Sequence, residues 1–402
     1  MRTSTIAGIV AAVIVALGIV EIVRPVSRPA LALRIPHTAH VSGPPLRLPW
    51  PSGVQAEVAV TGVGQSAQHG PAGPRPIGSM AKMMTAYLVL KAHPLGLYAN
   101  GPTLIVTPRD AAIYQSDAAT SQSVYPVKAG ERLSERTLLE ALLVPSGNNI
   151  ATMLAEWVGG SVSRFTAEMN ATAKSLGLTQ THYHGPVGLN PETDSTAQDE
   201  LHLAMILMKN PVFRQIVAMP QMPVLGTGKI TYNYNYLLGH DGVIGVKTGS
   251  TTDSGGCVVL ARNVSIGSKT VTEYAAVLGQ PATPSQPSQL WGALDDAKAL
   301  VDSLAHSIKE TTLVSPDTVI GRLTVPWQHA VPLIATRAVR LLAWPGLSYS
   351  LSTRIHVPTA TSVPAHTIVG TLTVRLGNQT ATVPVETATA IVPPSLKYRL
   401  LR

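Results

Sequence analysis

The sequence reads Ser79-Met80-Ala81-Lys82, then Ser146-Gly147-Asn148, then Lys247-Thr248-Gly249, in this order along 402 residues. The first segment pairs a hydroxyl with an amine one helical turn away, and the second pairs a hydroxyl with an amide. The third adds a lysine inside an apolar, strand-like run. Together these groups are the parts needed to transfer an acyl group to a serine. Each segment alone is a weak signal, but the ordered set of three indicates this chemistry.

The residues around the first segment predict its local structure. Helical periodicity runs from Met80 to Ala92, so Ser79 is expected at a helix N-terminus, where free N–H groups and the helix dipole favour negative charge. Lys82 then lies one turn later on the same face, with its amine in reach of the Ser79 hydroxyl. A capping serine followed by an exposed lysine would give the same pattern, and only the other two segments argue against it.

The other two segments are predicted on a loop and on a strand. Predicted helices at 135–143 and 149–157 flank a short loop that presents Ser146 and Asn148. Lys247, Thr248 and Gly249 continue an apolar strand, and residues 256–260 predict the next strand. The backbone N–H groups of Ser250 and Ser79 are the predicted oxyanion hole.

Composition excludes several other kinds of site. The single cysteine, Cys257, rules out an intrachain disulfide and is expected in the core. The twelve histidines show no H-E-x-x-H spacing, and no phosphate-binding glycine loop is present, so neither a metal nor another cofactor is predicted.

The net charge of +8 divides into +4 for residues 1–47, −2 for 48–305 and +6 for 306–402. Because the basic residues of the last part are scattered, they favour an anionic cell wall or membrane surface rather than nucleic acid.

The chain divides into four predicted regions. Residues 1–32 contain one long apolar run after Arg2 and predict either a cleaved signal peptide or an uncleaved membrane anchor, with export in both cases. Residues 33–48 are rich in proline and read as a linker, and 49–310 carry the three segments and end in an amphipathic helix at 288–310. Residues 311–402 alternate short strands with turns and predict a small β-sandwich.

The sequence resembles the serine D-Ala-D-Ala carboxypeptidases, the low-molecular-mass penicillin-binding proteins, over about residues 50–305. Collinear stretches besides the three segments carry this resemblance: FTAEMNATAKSLGL at 165–178, HGPVGLN at 184–190, STAQDELHLA at 195–204 and KTGSTTDSGG at 247–256. The implied fold is of the α+β class, in which an antiparallel sheet is flanked by helices, with a helical lobe that carries the Ser-Gly-Asn loop and a small all-β domain that follows.

The resemblance implies a role for each residue of the three segments. Ser79 would attack the carbonyl between the two terminal D-alanines of a peptidoglycan stem peptide, with Lys82 as its base. Ser146, helped by Lys247, would pass a proton to the leaving amine. Asn148 would hold the substrate amide, and the Lys247-Thr248-Gly249-Ser250 strand would bind the rest of the peptide, with Thr248 on the terminal carboxylate. β-Lactam antibiotics would acylate the same serine.

Two departures from the family pattern are visible. Asn149 stands where an aspartate is usual, and the segment 279–284 lacks the arginine that in many relatives helps to bind the substrate carboxylate.

Other activities also stay open. A β-lactamase would need a base for its deacylating water, for which Glu192 lies in the right interval, although its surroundings favour a surface loop. A D,D-endopeptidase or transpeptidase would act on the same kind of bond, and a non-enzymatic penicillin-binding scaffold would have lost at least one of the key residues.

Overall fold

A computed structural model describes residues 2–401 of the chain, and the side chains of residues 6–401. The described residues form two compact units. One unit comprises Arg47–Ile308, and the other combines the residues up to Leu46 with those from Lys309 onward. In chain order the α-helices are α1 Arg2–Val23, α2 Lys82–Ala92, α3 Pro108–Ala119, α4 Glu135–Leu143, α5 Asn148–Gly159, α6 Val162–Ser175, α7 Ala197–Leu207, α8 Pro211–Val217, α9 Gln289–Ser307 and α10 Leu396–Leu401.

The strands lie mainly in one sheet per unit. In chain order they are β1 Ala30–Leu33, β2 Thr38–His40, β3 Gln55–Val60, β4 Ser66–His69, β5 Arg75–Pro76, β6 Thr103–Ile105, β7 Arg132–Ser134, β8 Asp194–Ser195, β9 Gln221–Val224, β10 Lys229–Tyr232, β11 Val243–Thr251, β12 Gly255–Ile266, β13 Lys269–Gln280, β14 Lys309–Val314, β15 Val319–Thr324, β16 Val331–Ala335, β17 Val339–Ala343, β18 Ser348–Ile355, β19 Ile368–Leu376 and β20 Gln379–Thr387.

The unit 47–308 is built on a five-stranded antiparallel sheet in the order β11-β12-β13-β3-β4. Helix α9 packs on one face of this sheet, where a Cβ on Gly256 would collide with the carbonyl oxygen of Gln289. The neighbouring Cys257 points to the opposite face and joins the core shared with α2 and α7, because successive strand residues alternate between faces. The predicted burial of Cys257 is confirmed, and burial raises the pKa of its thiol to about 12.

Helix α2 is the centre of the helical lobe. It is buried along most of its length, from Lys82 to Leu90, and packs against α4, α5, α6 and α7. A helix that is apolar on nearly all sides is stable only when other elements surround it. Lys82 is therefore a charged residue in a helix whose other buried residues are mostly apolar, and the sequence alone does not show that it is buried.

Helix α4 coincides with the predicted helix 135–143, and α9 lies within the predicted helix 288–310. Ser134 and Ser288 cap these helices by accepting hydrogen bonds from the backbone N–H groups of Thr137 and Trp291. The first segment differs from its prediction. Ser79 lies in a 3₁₀ turn, Gly78–Ala81, and α2 begins only at Lys82. The tighter turn accommodates the close approach of the strand β11 to the backbone at Ser79.

The second unit contains a seven-stranded sheet in the order β1-β15-β16-β20-β19-β18-β2, together with the ribbon β14-β17. Strand β1 crosses the boundary that was expected at residue 32, between the N-terminal segment and the linker. Strand β2 lies within residues 33–48, which were expected to be a linker without secondary structure. The two strands pair with β15 and β18 at the two edges of this sheet. Such short strands carry little pattern of their own and form because an edge strand offers unpaired backbone groups. The predicted α+β class, with an antiparallel sheet, a helical lobe and a β-rich part after it, is confirmed.

A buried carboxyl group in the unit 47–308 couples stability to pH. Glu200 on α7 is almost fully buried, and this burial, opposed by the Ser195 hydroxyl and reinforced by the charge of Asp199, raises its pKa to about 8. In the unfolded chain the group ionises at about 4.5. The folded state therefore binds more protons between these two values, and its stability falls as the pH rises through this window.

We expect the substitution Glu200→Gln to remove this pH dependence. Between about pH 4.5 and pH 8 the wild type loses on the order of 5 kcal/mol of unfolding free energy relative to the variant, as an upper bound. Urea unfolding at several pH values measures the difference. Glu192→Gln, at a carboxylate that is 71% exposed, is the matched control and should leave the slope unchanged. Parallel curves for wild type and Glu200→Gln would contradict the expectation.

Candidate active site

The three segments meet at the junction of the sheet and the helical lobe. Lys82 donates hydrogen bonds from Nζ to Ser79 Oγ at 2.8 Å and to Asn148 Oδ1 at 2.7 Å. Lys247 donates from Nζ to Ser146 Oγ at 3.0 Å. Segments that are 66 and 101 positions apart in the sequence are thus joined directly. The nucleophile candidate Ser79 is half-buried, whereas both lysines are buried.

Strand β11 forms one wall of this site. Its Gly249 runs so close to the turn before α2 that a Cβ there would lie 2.9 Å from the backbone nitrogen of Ser79. A Cβ on Gly78 would in turn lie 3.3 Å from the backbone nitrogen of Ser250. The two amides predicted as the oxyanion hole therefore border the same narrow junction. Only glycine permits such an approach.

The second segment begins with a strained residue. Ser146 has a φ of 60°, in the left-handed region that a non-glycine residue seldom adopts, and it is buried. Such strain concentrates at functional sites. The structure differs slightly from the predicted loop, since the loop comprises residues 144–147 and Asn148 is already the first residue of α5. Being on a packed helix, the Asn148 amide is held more rigidly than a loop would allow.

The two lysines are electrostatically unusual. Burial, and then the charge of Lys247, lower the pKa of Lys82 well below its ordinary value, against a smaller opposing effect of Asp117. Burial lowers the pKa of Lys247 to about 7. Removing an ammonium group from water disfavours its charged form, and a second nearby cation adds to the effect. The Lys247 amine is therefore able to exchange a proton near neutral pH, and the Lys82 amine loses its proton far more readily than an exposed lysine.

Several residues of the site were not found from the sequence. Asn148 donates from Nδ2 to Gln122 Oε1 at 2.7 Å, and its backbone N–H donates to the carbonyl oxygen of Ser123. The Ser123 hydroxyl lies 3.1 Å from Tyr234 Oη. Asp117 on α3 is close enough for its charge to act on Lys82. No motif or periodicity sets these residues apart from an ordinary surface loop, so the sequence carried no signal for them.

The two departures from the family pattern now have structural descriptions. Asn149 forms a pair of hydrogen bonds with the backbone of Tyr125, accepting at 3.0 Å and donating at 2.8 Å, so that it fixes the segment before α4. At the end of β13, the guanidinium of Arg75 fills the space beside Gly279 and donates to the carbonyl oxygen of Leu278 at 3.3 Å. A guanidinium therefore does lie beside this segment, although it comes from β5 rather than from residues 279–284.

The loop 184–190 supports the turn that carries Ser79. The carbonyl oxygens of Val187 and Pro186 accept hydrogen bonds from Lys82 Nζ at 3.3 Å and Thr85 Oγ1 at 3.0 Å. Gly188, at φ +87°, runs so close that a Cβ there would stand 1.9 Å from the carbonyl oxygen of Gly78. Glu192, just beyond the loop, is 71% exposed and pairs with His184 at 3.5 Å.

We expect Gly188→Ala to lower the acylation rate roughly 10²-fold, because the new methyl group must displace the Ser79 turn and a misplacement of about 1 Å has this effect. Gly177→Ala is the matched control, since Gly177 also has a positive φ, +77°, but no atom lies within 4 Å of the added carbon. Stopped-flow acylation by a chromogenic penicillin, with circular dichroism as the folding check, measures both variants. Equal acylation rates in Gly188→Ala and Gly177→Ala would contradict an effect of the close contact between residue 188 and Gly78.

Comparison with known proteins agrees with this geometry. A family model described as D-alanyl-D-alanine carboxypeptidase matches residues 67–279, which is more than half of the chain. The chain belongs to this family. It is 34% identical over 232 residues to the D-alanyl-D-alanine carboxypeptidase of Streptomyces sp. strain K15, covering 53% of this chain and 76% of that protein. It is 31% identical to the D-alanyl-D-alanine endopeptidase of Escherichia coli over 46% of this chain and 59% of that protein. The predicted family and the predicted class of enzyme, a serine D-Ala-D-Ala carboxypeptidase, are confirmed.

The fold of this chain also resembles those of solved structures from the carboxypeptidase family. The D-alanyl-D-alanine carboxypeptidase DacD of Francisella tularensis superposes with a TM-score of 0.59 at 20% identity, covering 87% of this chain and 96% of that one. A mutant of the Streptomyces K15 DD-transpeptidase superposes with a TM-score of 0.53 at 28% identity, covering 63% of this chain and 98% of that one. Some other relatives are matched over less than half of their own length, at 45 and 46%.

Proposed function

We propose that this enzyme removes the terminal D-alanine from peptidoglycan stem peptides through an acyl-enzyme on Ser79. The hydrogen bond of 2.8 Å between Lys82 Nζ and Ser79 Oγ carries this proposal, because it joins a nucleophile to an amine with a strongly lowered pKa. In the first step Ser79 Oγ bonds to the carbonyl carbon between the two D-alanines, and its proton passes to Lys82.

The leaving D-alanine needs a proton on its amine as the peptide bond breaks. Ser146 is suited to supply it, and Lys247 to replace it, because their side chains are 3.0 Å apart and the pKa of Lys247 is about 7. The developing oxyanion would be held by the N–H groups of Ser79 and Ser250, which border one junction. Water then attacks the ester carbonyl carbon and its proton passes through Ser146 to Lys247, while Lys82 returns a proton to Ser79 Oγ as the ester bond breaks. The shortened peptide is released and both lysines regain their starting protonation states.

Substrate binding is assigned to the edge strand and to α5. Asn148 would hold a backbone amide of the stem peptide, since Lys82 and Gln122 orient its side chain. Lys247, Thr248, Gly249 and Ser250 would pair with the extended peptide, with Thr248 on the terminal carboxylate. Ser250 Oγ also donates to Gln289 Oε1 at 3.3 Å, which ties this strand to the start of α9. Substrate and penicillin would be bound on the exported side of a membrane, consistent with the apolar α1.

The experiment is an assay of free D-alanine from a pentapeptide that ends in D-Ala-D-Ala, with a D-Ala-L-Ala peptide as the stereochemical control. We expect release from the first peptide only, together with a stable adduct of fluorescent penicillin detected by intact mass. Rapid turnover of penicillin would favour a β-lactamase. Release that requires an added amine, or cleavage of a cross-linked dimer alone, would favour a transpeptidase or an endopeptidase, the latter in line with the name of one relative.

Absence of both D-alanine release and the penicillin adduct would contradict acyl transfer to serine. An adduct without any release on these substrates would indicate a non-enzymatic penicillin-binding protein. A β-lactamase is disfavoured because Glu192, the carboxylate considered for it, is exposed and paired with His184.

A further inference from the structure

Two apolar surfaces lie next to each other in the unit that contains both ends of the chain. The part of α1 from Ile6 to Val23 has a mean hydropathy of 2.8 over 18 residues, none of them buried, which is long and apolar enough to cross a membrane. Helix α10 packs beside it, since a Cβ on Gly18 would lie 3.9 Å from Leu400 Cδ2. Leu396, Leu400 and Leu401 of α10 are also exposed.

A cationic cavity of about 330 Å³ lies where α1 ends. Its walls bring together three guanidinium groups and several hydroxyl groups, and no carboxylate is among the described residues that line it. The cationic lining residues are Arg24, Arg28 and Arg399, and the hydroxyl-bearing ones are Ser27, Thr359 and Thr361. Glu21, one turn before the cavity, pairs with Arg24 at 3.6 Å, so that the site retains an excess of positive charge.

The cavity is built from distant parts of the chain. Arg399 donates from Nη1 to the carbonyl oxygen of Ile22 at 2.7 Å, which satisfies an acceptor in the last turn of α1 and fixes α10 to it. Trp327 closes another side, donating from Nε1 to the carbonyl oxygen of Val392 at 2.6 Å with its ring 6.2 Å from that of Tyr398. Arg28 is exposed, and within residues 2–401 no group accepts a hydrogen bond from its side chain.

We propose that this cavity binds the phosphate group of an anionic phospholipid at the membrane surface where α1 leaves the bilayer. Guanidinium groups bind phosphate oxygens in a bidentate manner, and hydroxyl groups add donors. A phospholipid is the fitting source of the phosphate because the cavity lies beside the exposed apolar α1 and the exposed leucines of α10, and Trp and Tyr are typical of the membrane interface. The uncompensated charge favours an anionic over a zwitterionic headgroup.

This site requires that α1 remain attached to the enzyme. Strand β1 supports retention, because Ala30–Leu33 pairs with β15 and cleavage after Ala32 would remove most of that strand. Arginines on the exported side of a membrane helix run against the positive-inside tendency. Anionic headgroups would give Arg28 a partner on that side, which accounts for its position.

The test uses the full chain in detergent, with native mass spectrometry of bound phosphatidylglycerol and phosphatidylcholine. We expect wild type to retain phosphatidylglycerol roughly tenfold better, and the double variant Arg28→Gln/Arg399→Gln to lose this preference, since each cation contributes about a factor of five at an anionic surface. The control is Arg354→Gln/Arg375→Gln, at two exposed arginines on β18 and β19, which should retain it. Penicillin labelling checks that each variant is folded.

Three outcomes would overturn the proposal. The first is equal retention of both lipids by wild type, or an unchanged preference in Arg28→Gln/Arg399→Gln. The second is displacement of the bound lipid by inorganic phosphate at equal concentration, which would show a site for free anions. The third is an intact mass of the enzyme from the membranes of the producing cell that begins after Arg28. None of these outcomes depends on the assignment of Ser79, so failure here is separate from failure of the proposed activity.

Discussion

Ser79→Ala is expected to abolish both covalent labelling by penicillin and the release of D-alanine, with a fall in rate of at least about 10⁴-fold. The variant lacks the only oxygen that Lys82 Nζ contacts in the first segment, at 2.8 Å. Without it no ester can form, whereas the proposed binding of the substrate through Asn148 and β11 should be untouched. Intact mass after incubation with penicillin, and a coupled assay of free D-alanine, measure the two losses.

A matched serine provides the control for this variant. Ser265→Ala lies on an exposed part of β12 and has no part in the site, so both readouts should stay at the wild-type level. Equilibrium binding of the D-Ala-D-Ala peptide should persist in Ser79→Ala, because the proposed peptide contacts lie elsewhere. A penicillin adduct on another residue of Ser79→Ala would refute the assignment of the nucleophile.

Lys82→Met should lower the acylation rate by about 10²- to 10⁴-fold, the range associated with loss of a general base. Methionine keeps the length of the side chain and removes the amine that bridges Ser79 and Asn148. Lys82→Arg should be equally slow, because arginine keeps the charge but cannot release its proton. Stopped-flow acylation measures both variants, and Lys209→Met, at an exposed lysine, is the control.

The pH profile of acylation distinguishes a base from a merely structural lysine. In wild type the rate should rise as Lys82 loses its proton, well below pH 10.5 because its pKa is lowered. It should fall again as Lys247, with a pKa of about 7, loses the proton that Ser146 is proposed to relay. Because Lys82 and Lys247 interact, the apparent pKa values of the rising and falling limbs of the profile belong to the two lysines as a pair. In Lys82→Met the rising limb should vanish, and a profile of unchanged shape at a lower rate would contradict the role of Lys82 as base.

Much of the fold could be predicted because its signals are local. The helix at 135–143 was predicted with its observed bounds, since the apolar spacing that indicates it lies within a few neighbouring residues. The three segments were recognisable for the same reason. The site residues Ser79, Lys82, Ser146, Asn148, Lys247, Thr248, Gly249 and Ser250 remain predictions for function, although the structure brings them to one place.

Features that depend on distant contacts were missed. The strands β1 and β2 were read as part of an N-terminal segment and a linker, because their pairing is determined by edges of a sheet some 300 positions later in the chain. Asp117 and Gln122 bear on Lys82 and Asn148 only through space. Arg75 beside Gly279 is a similar case, since residues about 200 positions apart meet there.

The sequence by itself determined which chemical groups this enzyme has and in what order, because side-chain identity and local periodicity are properties of neighbouring residues. Only the tertiary structure decided how deeply Lys82 and Lys247 are buried and that the pKa of each is lowered, that of Lys247 to about 7. That property comes from exclusion of water and from the charge of one amine on the other, and both depend on packing of the whole unit around α2.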